Sequence, residues 1–563
     1  MRKRVELKSY DFFFGKERIN WLRRALFKSM GFSDHDLGKP IIGVVNTWSE
    51  LNPGHYHLRQ VSEAVKRGIL SAGGFPIEIN TMSMCEVYFD FSTLIYRNLL
   101  AMVTEEVVRY QPFDGAVFLS TCDKVVPGQL MACASTNIPS IFALGGSQLP
   151  GIYKGEKLAF GSDATKIWNE YRAGNISDRE IKKIEDVAHP CVGACGMMGT
   201  ANTMQSLTEA LGMALPGTAN TPAVYGKKYR DSEEAGRKIV ELVGKNILPS
   251  DVMTKEAIDN AIKVLMALGG STNAIIHLLA LAKRLKLNLS LDDFDGISGK
   301  IPVICDVKPT GKYVIQEFDQ AGGVNMVMKV IEEMLDTSVL TCTGRTLGEN
   351  LKNIDKETSD VIRPLENPLY KDKSIVVLKG NICPDGAVIK QGAASKSLLV
   401  HRGEAIVYDS YKEGLEKGKT DKRINENSIV ILRNEGPVGA PGMPEVGGWL
   451  PIPTHLLKKG VRDIVRISDA RMSGSCFGTI ILHVSPESAV GGPLGIVRDG
   501  DIIELDVPNR KLNLKISKDE YSKRLKKYKE EIKNKKREYK RGYLNLFIEN
   551  VEQSDKGCDL KFM

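Results

Sequence analysis

Four short segments of this chain hold residue types suited to metal-assisted chemistry. The first, STCDKVVPG, places Cys122, Asp123 and Lys124 side by side after an apolar run. A thiolate suits a soft metal such as iron or zinc, whereas a carboxylate suits Mg2+. The segment therefore indicates two kinds of metal ligand in one place. A buried cysteine beside a surface Asp–Lys pair is the plainer interpretation of these three residues alone.

The second segment, HPCVGACG, separates Cys191 and Cys195 by four positions among glycines. Two thiolates on a glycine-rich backbone can bind a metal at close range. One pair does not define a structural zinc site, and the glycines favour a cluster pocket over a zinc knuckle.

The third and fourth segments carry oxygen-bearing side chains. EGPVGAPGMPE is a Gly/Pro-rich loop that ends in Glu445, and SDARMSG places Ser473 beside a glycine. A serine in this setting is a nucleophile, a base or simply a turn residue. No spacing of His, Ser and Asp supports a hydrolase triad.

The elements that must position these segments follow from the apolar pattern of the first 300 residues. The pattern predicts strands over Pro40–Asn46, Phe113–Ser120 and Ile138–Leu144, with helices over His57–Ala72 and Pro127–Ser135. Such alternation predicts an α/β domain with a parallel sheet covered by helices on both faces. Cys122 then lies at the carboxyl end of a strand, where open α/β sheets bind ligands.

The predicted secondary structure changes after a charged, proline-containing stretch at 355–374, which we interpret as a linker. Short strands separated by Gly/Pro turns are predicted beyond it, at Ser374–Leu378, Ser428–Arg433, Asp463–Ile467 and Asp501–Asp506. They indicate a smaller, mainly β domain, a barrel or a sandwich. We predict domains at 1–365 and 366–563, the second ending in a polar surface helix.

Composition narrows the class of protein. The net charge of +8 at pH 7 is spread along 563 residues, which favours a solvated surface or an anionic small substrate over a nucleic-acid partner. The N-terminus lacks the apolar region of a signal peptide. The apolar stretch Ala261–Ala282 is interrupted by polar residues and predicts two buried helices, not a membrane span. Ten cysteines without a secretion signal favour metal binding in a reducing cytosol.

Together the segments resemble the dihydroxy-acid and sugar-acid dehydratase family, which includes 6-phosphogluconate dehydratase. The resemblance runs from about Lys39 to Ser517 and includes GKPIIGVVNTWSELNPGH, GTANTMQSLTEALGMALPG, MALGGSTNAIIHL and VSPESAVGGPLGIVRDGD. It implies a hydro-lyase that converts a polyhydroxylated acid into a 2-keto acid with an iron–sulfur cluster and Mg2+. It also implies a homodimer or homotetramer.

The resemblance gives the cysteines a role. Cys122 and Cys195 match cluster ligands, but Gly54 stands where members with a [2Fe–2S] cluster have a third cysteine. Either the cluster is a more labile type, such as [4Fe–4S], or another thiolate substitutes. Cys85 is in a plausible place, and Cys191 is the other option.

The resemblance also gives the oxygen ligands and the base. Glu86, Asp123 and Glu445 match carboxylates that hold Mg2+, and Lys124 matches a lysine that is carbamylated in some members. Ser473 matches the serine proposed as the general base.

The dehydration reaction itself explains why the family uses two kinds of metal site. The proton at C2 is weakly acidic and hydroxide at C3 is a poor leaving group, so Lewis acids are needed at both positions. The helix start within Gly269–Asn273 is a candidate site for the substrate carboxylate, although a plain helix N-cap fits equally well.

The substrate class follows from local variants. This chain has Ser83-Met-Cys-Glu86 and Ser468-Asp-Ala-Arg-Met-Ser-Gly, which are similar to the pentonate and hexonate dehydratases. Branched-chain members typically carry Asp-Asp-Gly and Asp-Gly-Arg-Phe-Ser-Gly there. We therefore expect a sugar acid as substrate, with 2,3-dihydroxyisovalerate as the alternative. A thiol–zinc binding protein is a distant further alternative.

Overall fold

The fold is taken from a computed structural model. It describes residues 7–89, 92–159, 161–172, 174–371, 373–448, 450–474, 476, 478–534 and 539–563. Two residues of the serine-containing segment, Ser475 and Phe477, and residues 535–538 of the basic C-terminal stretch lie outside the described residues.

The first part of the chain forms a parallel sheet with the strand order β2–β1–β3–β4. Its strands are β1 (Ile41–Asn46), β2 (Phe75–Asn80), β3 (Gly115–Ser120) and β4 (Ser140–Leu144), and a small hairpin follows with β5 (Gly151–Tyr153) and β6 (Glu156–Leu158). The helices of this part are α1 (Lys8–Phe14), α2 (Arg18–Ser29), α3 (Asp34–Leu37), α4 (Leu58–Ser71), α5 (Leu94–Tyr110), α6 (Val125–Thr136), α7 (Ser162–Arg172), α8 (Asp178–Ala188), α9 (Thr200–Ala210), α10 (Gly226–Lys245), α11 (Pro249–Val252), α12 (Lys255–Leu268), α13 (Asn273–Arg284), α14 (Leu291–Ser298), α15 (Ile315–Gln320), α16 (Gly323–Val330) and α17 (Leu347–Leu351).

The sheet is covered on both faces, as the alternating pattern predicts. Alternate side chains of β1, such as Val44, pack against α4 and α10. The intervening side chains, such as Val45, join the larger core built on α6, α9, α12 and α13. Because both faces are buried at β1, β3 and β4, these strands read as nearly continuous apolar runs, whereas the edge strand β2 is only partly buried. The apolar stretch Ala261–Ala282 belongs to the two buried helices α12 and α13.

The second part is a closed barrel of mixed strands in the order β10–β11–β12–β8–β7–β14–β13–β9. Its strands are β7 (Ile375–Gly380), β8 (Cys383–Lys390), β9 (Val400–Tyr408), β10 (Ile429–Leu432), β11 (Val465–Ser468), β12 (Ile480–Ser485), β13 (Ile502–Asp506) and β14 (Lys511–Leu514). Its helices are α18 (Tyr411–Gly418), α19 (Thr454–Lys458), α20 (Lys518–Asn534) and α21 (Gly542–Asn550). The prediction of a mainly β second part is confirmed, and the barrel alternative is the correct one.

Two segments near the C-terminus pack against the barrel and against the first part of the chain. The polar helix α20 packs Tyr521, Leu525 and Tyr528 onto the barrel core, as expected for a surface helix. The last residues, including Val551 and Leu560, return to the first part and pack against α5 and α13. Within the described residues, every helix is too short or too polar to cross a membrane. The boundary at 365/366 stays a prediction.

Candidate active site

Loops from the sheet and from the barrel meet at one place, and each of these loops leaves the carboxyl end of its strand. Cys122, Asp123 and Lys124 connect β3 to α6, with Lys124 as the N-cap residue of that helix. Glu86 begins a short 3-10 turn after β2. Glu445 follows β10 along the chain.

The Lys124 ammonium group lies where three carboxylates converge. Its Nζ atom is 2.6 Å from Asp123 Oδ2, 2.8 Å from Glu445 Oε1 and 3.2 Å from Glu86 Oε2. Burial acts to lower the Lys124 pKa, as does Arg471, but the three carboxylates raise it above its usual range. Three carboxylates distant in sequence thus converge on one buried cation.

Arg471 is a second buried cation at this pocket, and the sequence analysis did not single it out. Its guanidinium donates to Glu445 Oε1, to the Met443 carbonyl and to Ser92 Oγ, each at 2.7 Å. Its side chain has no solvent exposure. Three directed hydrogen bonds fix the loop that carries Glu445. An arginine inside an apolar–glycine segment, ISDARMSG, is the signal that could have identified it.

The pKa values of the two glutamates at this pocket, Glu86 and Glu445, are shifted in opposite directions. Burial raises the pKa of Glu86, with Glu445 and Asp123 acting in the same direction against Lys124. Burial also acts to raise the pKa of Glu445, but the adjacent Lys124 and Arg471 cations lower it overall. Of these two glutamates, Glu445 is therefore the one whose charged form the pocket stabilises.

Asn273, the first residue of α13, was also missed as an individual residue. Its Nδ2 atom donates to Glu445 Oε1 at 2.6 Å and to Thr200 Oγ1 at 3.0 Å. Thr200 is the first residue of α9, so two helix starts meet beside Glu445. The predicted helix start within Gly269–Asn273 thus lies at the site.

Three thiols lie near the carboxylates. Burial raises the pKa of the Cys122 thiol, and the nearby Asp123, Cys85 and Cys195 act in the same direction. Burial likewise raises the pKa of Cys195 to about 11, with Asp123 and Cys85 adding to the effect. The sulfur atoms are thus close enough to influence one another electrostatically, and they stay protonated at neutral pH unless a cation binds next to them.

Gly54 lies directly against the Cys122 thiol. A Cβ atom built on Gly54 would lie 2.7 Å from Cys122 Sγ. The position therefore faces the Cys122 sulfur, as the resemblance implies for the family's third cysteine. Because a glycine occupies it, the thiol set at this place consists of Cys85, Cys122 and Cys195.

The NPGH turn around Gly54 fastens the loops that carry these thiols. Asn52 accepts from Cys122 Sγ at 3.3 Å and donates to the Met84 carbonyl at 2.9 Å. His55 Nε2 accepts the Cys122 N–H at 3.1 Å. Burial lowers the His55 pKa to about 3, so the ring is neutral and can accept this hydrogen bond.

Cys191 has different surroundings. Its sulfur accepts the Leu149 N–H at 3.1 Å. Burial raises its pKa and that hydrogen bond lowers it. Cys85, and not Cys191, is thus the thiol that acts electrostatically on Cys122 and Cys195.

Ser473 follows β11 and lies beside the carboxylate loop. An antiparallel bridge pairs Val446 with Met472, so Glu445, one residue before Val446, lies opposite Ser473, one residue after Met472. A Cβ atom built on the next residue, Gly474, would lie 3.1 Å from the Thr200 backbone nitrogen. Glycine is needed there because the serine loop approaches the start of α9 so closely.

No group of three or more His, Cys, Asp and Glu side chains in the described residues is arranged as a ready ligand shell for a metal ion. The reason at the carboxylate pocket is that the Lys124 ammonium lies between the oxygens. The donor set nevertheless fits a divalent cation, since three carboxylates already surround one positive charge.

Comparison with known proteins decides the family. Sequence models described as dihydroxy-acid/6-phosphogluconate dehydratase, N-terminal and C-terminal, match residues 39–350 and 360–558. The chain belongs to the dihydroxy-acid/6-phosphogluconate dehydratase family. It is therefore a dehydratase, a hydro-lyase, as the sequence segments implied.

Individual relatives cover nearly the full chain. The L-arabinonate dehydratase of Rhizobium leguminosarum bv. trifolii is 44% identical, with 100% of this chain and 98% of the relative aligned. The 6-deoxy-6-sulfo-D-gluconate dehydratase of Pseudomonas putida is 41% identical over 100% of this chain and 97% of the relative. The dihydroxy-acid dehydratase of Halothermothrix orenii is 42% identical over 96% and 97%. The chain is about equally identical to sugar-acid dehydratases and to dihydroxy-acid dehydratases, so sequence identity does not select the substrate.

Proposed function

We propose that this dehydratase removes water from a pentonate or hexonate and forms the 2-keto-3-deoxy acid. The observation that carries the proposal is the convergence of Glu86, Asp123 and Glu445 on one cationic centre beside three thiols. Elimination of water from a 2,3-dihydroxy acid needs charge stabilisation at the carboxylate end and at the leaving hydroxyl. The two donor sets supply sites for both.

The residues present fit both cofactors of the proposal. Glu86, Asp123 and Glu445 would hold Mg2+, with Lys124 joining them if its amine carries a carbamate. The thiols of Cys85, Cys122 and Cys195 would hold an iron–sulfur cluster. When bound, these groups supply Lewis acidity at the 2-hydroxy-carboxylate end and at the 3-hydroxyl of the substrate.

The protein's own residues do the remaining work. Ser473, opposite Glu445 in the backbone pairing, would take the proton from C2 of a substrate bound at the carboxylate pocket, acting as its alkoxide. Arg471 and Asn273 hold the Glu445 carboxylate from two sides, so its position does not depend on a bound ion. His55 and Asn52 hold the Cys122 loop. As the C2 proton is removed, the C2–C3 double bond forms and the C3 hydroxide leaves, to depart as water with a proton. The enol that results converts to the 2-keto acid by losing its O2 proton and gaining one at C3.

The sugar-acid substrate class is favoured over the branched-chain class by the variants at 83–86 and 468–474. The identities of 44% and 41% to the arabinonate and sulfogluconate enzymes agree with this choice. 2,3-Dihydroxyisovalerate is the second candidate, because dihydroxy-acid dehydratases align equally well at 42%.

The substrate proposal predicts a clear ranking in a panel assay. Anaerobically purified protein, reconstituted with iron and supplied with Mg2+, is assayed for 2-keto acid formation from C5 and C6 aldonates and from 2,3-dihydroxyisovalerate. We expect at least one aldonate to have a kcat/KM about tenfold or more above that of 2,3-dihydroxyisovalerate, a difference of one or two well-placed polar contacts. The opposite ranking would assign the enzyme to branched-chain chemistry.

The cluster proposal predicts that two cysteine variants differ. Cys85→Ser protein should bind much less iron after anaerobic reconstitution, because serine is a poor ligand for this soft site. Cys191→Ser is the matched control and should retain the iron content and colour of the unmodified protein. Iron per chain and visible absorption measure the difference. Full iron content in the Cys85→Ser protein would show that Cys85 is not a ligand.

The cytosolic location and the homodimer or homotetramer stay predictions.

A further inference from the structure

Two helix starts meet at the candidate active site, and neither N-cap residue supplies a side-chain cap. At α13, Ser271 Oγ accepts the Asn273 N–H at 3.3 Å, whereas the N-cap residue of α9 has no side chain at all. Helix α9 begins at Thr200, and its N-cap residue is Gly199. The N–H groups of Thr200, Ala201 and Asn202 therefore have no acceptor within the helix and no capping oxygen from Gly199. Such a helix start binds anions through its N–H groups and its dipole.

An orphaned polar atom lies at the same junction. Asn273 has no solvent exposure, and its Oδ1 atom has no hydrogen-bond partner among the described residues. The orientation of the amide is fixed because its Nδ2 atom donates to Glu445 and to Thr200 Oγ1. The free Oδ1 is an acceptor, so it needs a donor such as a hydroxyl group.

The place where the starts of α9 and α13 meet is in contact with the Cys195 loop and with the Ser473 loop. Asn202 donates to the Cys195 carbonyl at 2.6 Å, which ties the helix start to a thiol loop. Gly474, next to Ser473, packs directly against Gly199 and Thr200. Ala201 stays partly exposed while its neighbours are buried, so solvent reaches the helix start.

We propose that the start of α9 binds the substrate carboxylate and that Asn273 Oδ1 accepts the 2-hydroxyl hydrogen. The two groups together recognise a 2-hydroxy carboxylate, the end that all candidate substrates share. This inference rests on the proposed function for the identity of the ligand. It adds a protein subsite for an end of the substrate that a metal alone would otherwise hold.

The test uses 2-hydroxybutyrate, which carries both recognised groups but lacks a 3-hydroxyl to lose. Its affinity for the anaerobically reconstituted, Mg2+-supplied enzyme is measured by titration calorimetry. Gly199→Asp places a carboxylate over the N–H groups of Ala201 and Asn202, and Gly199→Asn is its uncharged match. Space is adequate, because a Cβ atom at Gly199 would meet only the flexible Met197 Cε at 3.1 Å.

We expect Gly199→Asp to weaken binding about tenfold or more, and Gly199→Asn to weaken it distinctly less, because only aspartate repels the anion. When Mg2+ is left out, butyrate, which has no hydroxyl to donate, should still bind the unmodified enzyme more weakly than 2-hydroxybutyrate. Undetectable binding to the unmodified enzyme, unchanged binding in folded Gly199→Asp protein, or equal losses in both variants would overturn the carboxylate assignment. Equal affinities for the two ligands would overturn the role of Asn273.

The same preparation separates this inference from the proposed function. If 2-hydroxybutyrate binds with the expected dependence on Gly199 but no aldonate is dehydrated, the sugar-acid proposal fails and the subsite stands. If aldonates are dehydrated but Gly199→Asp binds 2-hydroxybutyrate normally, the subsite is wrong and the proposed function stands.

Discussion

Ser473→Ala protein is expected to bind substrate and both metals but to form product about 10²–10⁴ times more slowly, the usual contribution of a general base. The reason is that Ser473, opposite Glu445 in the backbone pairing, is the group proposed to take the C2 proton. Steady-state 2-keto acid formation gives kcat, while iron content and the affinity for 2-hydroxybutyrate show whether the site is otherwise intact.

Ser468→Ala is the matched control for this variant. Ser468 lies at the end of the preceding strand, is buried, and accepts the Ala470 N–H at 2.9 Å. Its loss should lower stability slightly and leave kcat near that of the unmodified enzyme. Normal turnover by Ser473→Ala protein would remove Ser473 from the role of base.

Glu445→Gln should have the second large effect, on Mg2+ dependence and on stability. Glu445 Oε1 accepts from Lys124, Arg471 and Asn273, so the neutral amide both removes a metal ligand and leaves buried cations short of charge. Loss of residues that only support a ligand already costs about ten- to a hundredfold in metal affinity or activity. We expect at least about a hundredfold weaker apparent Mg2+ affinity, and about 3 kcal/mol less stability from the broken buried pairs.

Glu435→Gln is the control within the same loop. Glu435 is also buried, and its carboxylate accepts the Tyr411 N–H at 2.6 Å, away from Lys124. Burial raises its pKa to about 7, so a neutral side chain changes little at neutral pH. Mg2+ titrations of activity and thermal unfolding compare the two variants. An unaltered Mg2+ dependence in Glu445→Gln protein would contradict the assignment of this carboxylate.

Local pattern was sufficient for the framework of the molecule. The strand at 41–46, the helix after Lys124 and the two buried helices around Gly269 all follow from apolar periodicity and turn residues. Position at the carboxyl end of a strand also follows, so Cys122 and Asp123 were correctly expected at that edge of the sheet. The closed barrel could not be distinguished from a sandwich, because strand order depends on contacts between segments far apart in sequence.

The details of the site depend on long-range packing that spacing does not encode. Arg471 and Asn273 reach Glu445 from the barrel loop and from α13, and neither belongs to a pattern with a fixed spacing to it. His55 and Asn52 support Cys122 across about seventy residues. The different surroundings of Cys85, which acts on Cys122 and Cys195, and of Cys191, which accepts the Leu149 N–H, likewise could not be read from spacing.

The most direct test of the account is 2-keto acid formation from an aldonate by one anaerobic preparation, with iron and Mg2+ each removed and restored. The account predicts that turnover needs both metals, and that restoring either one alone gives no product, because the thiol and carboxylate sites act on different oxygens of one substrate. Undiminished product formation by protein freed of both iron and Mg2+ would contradict it.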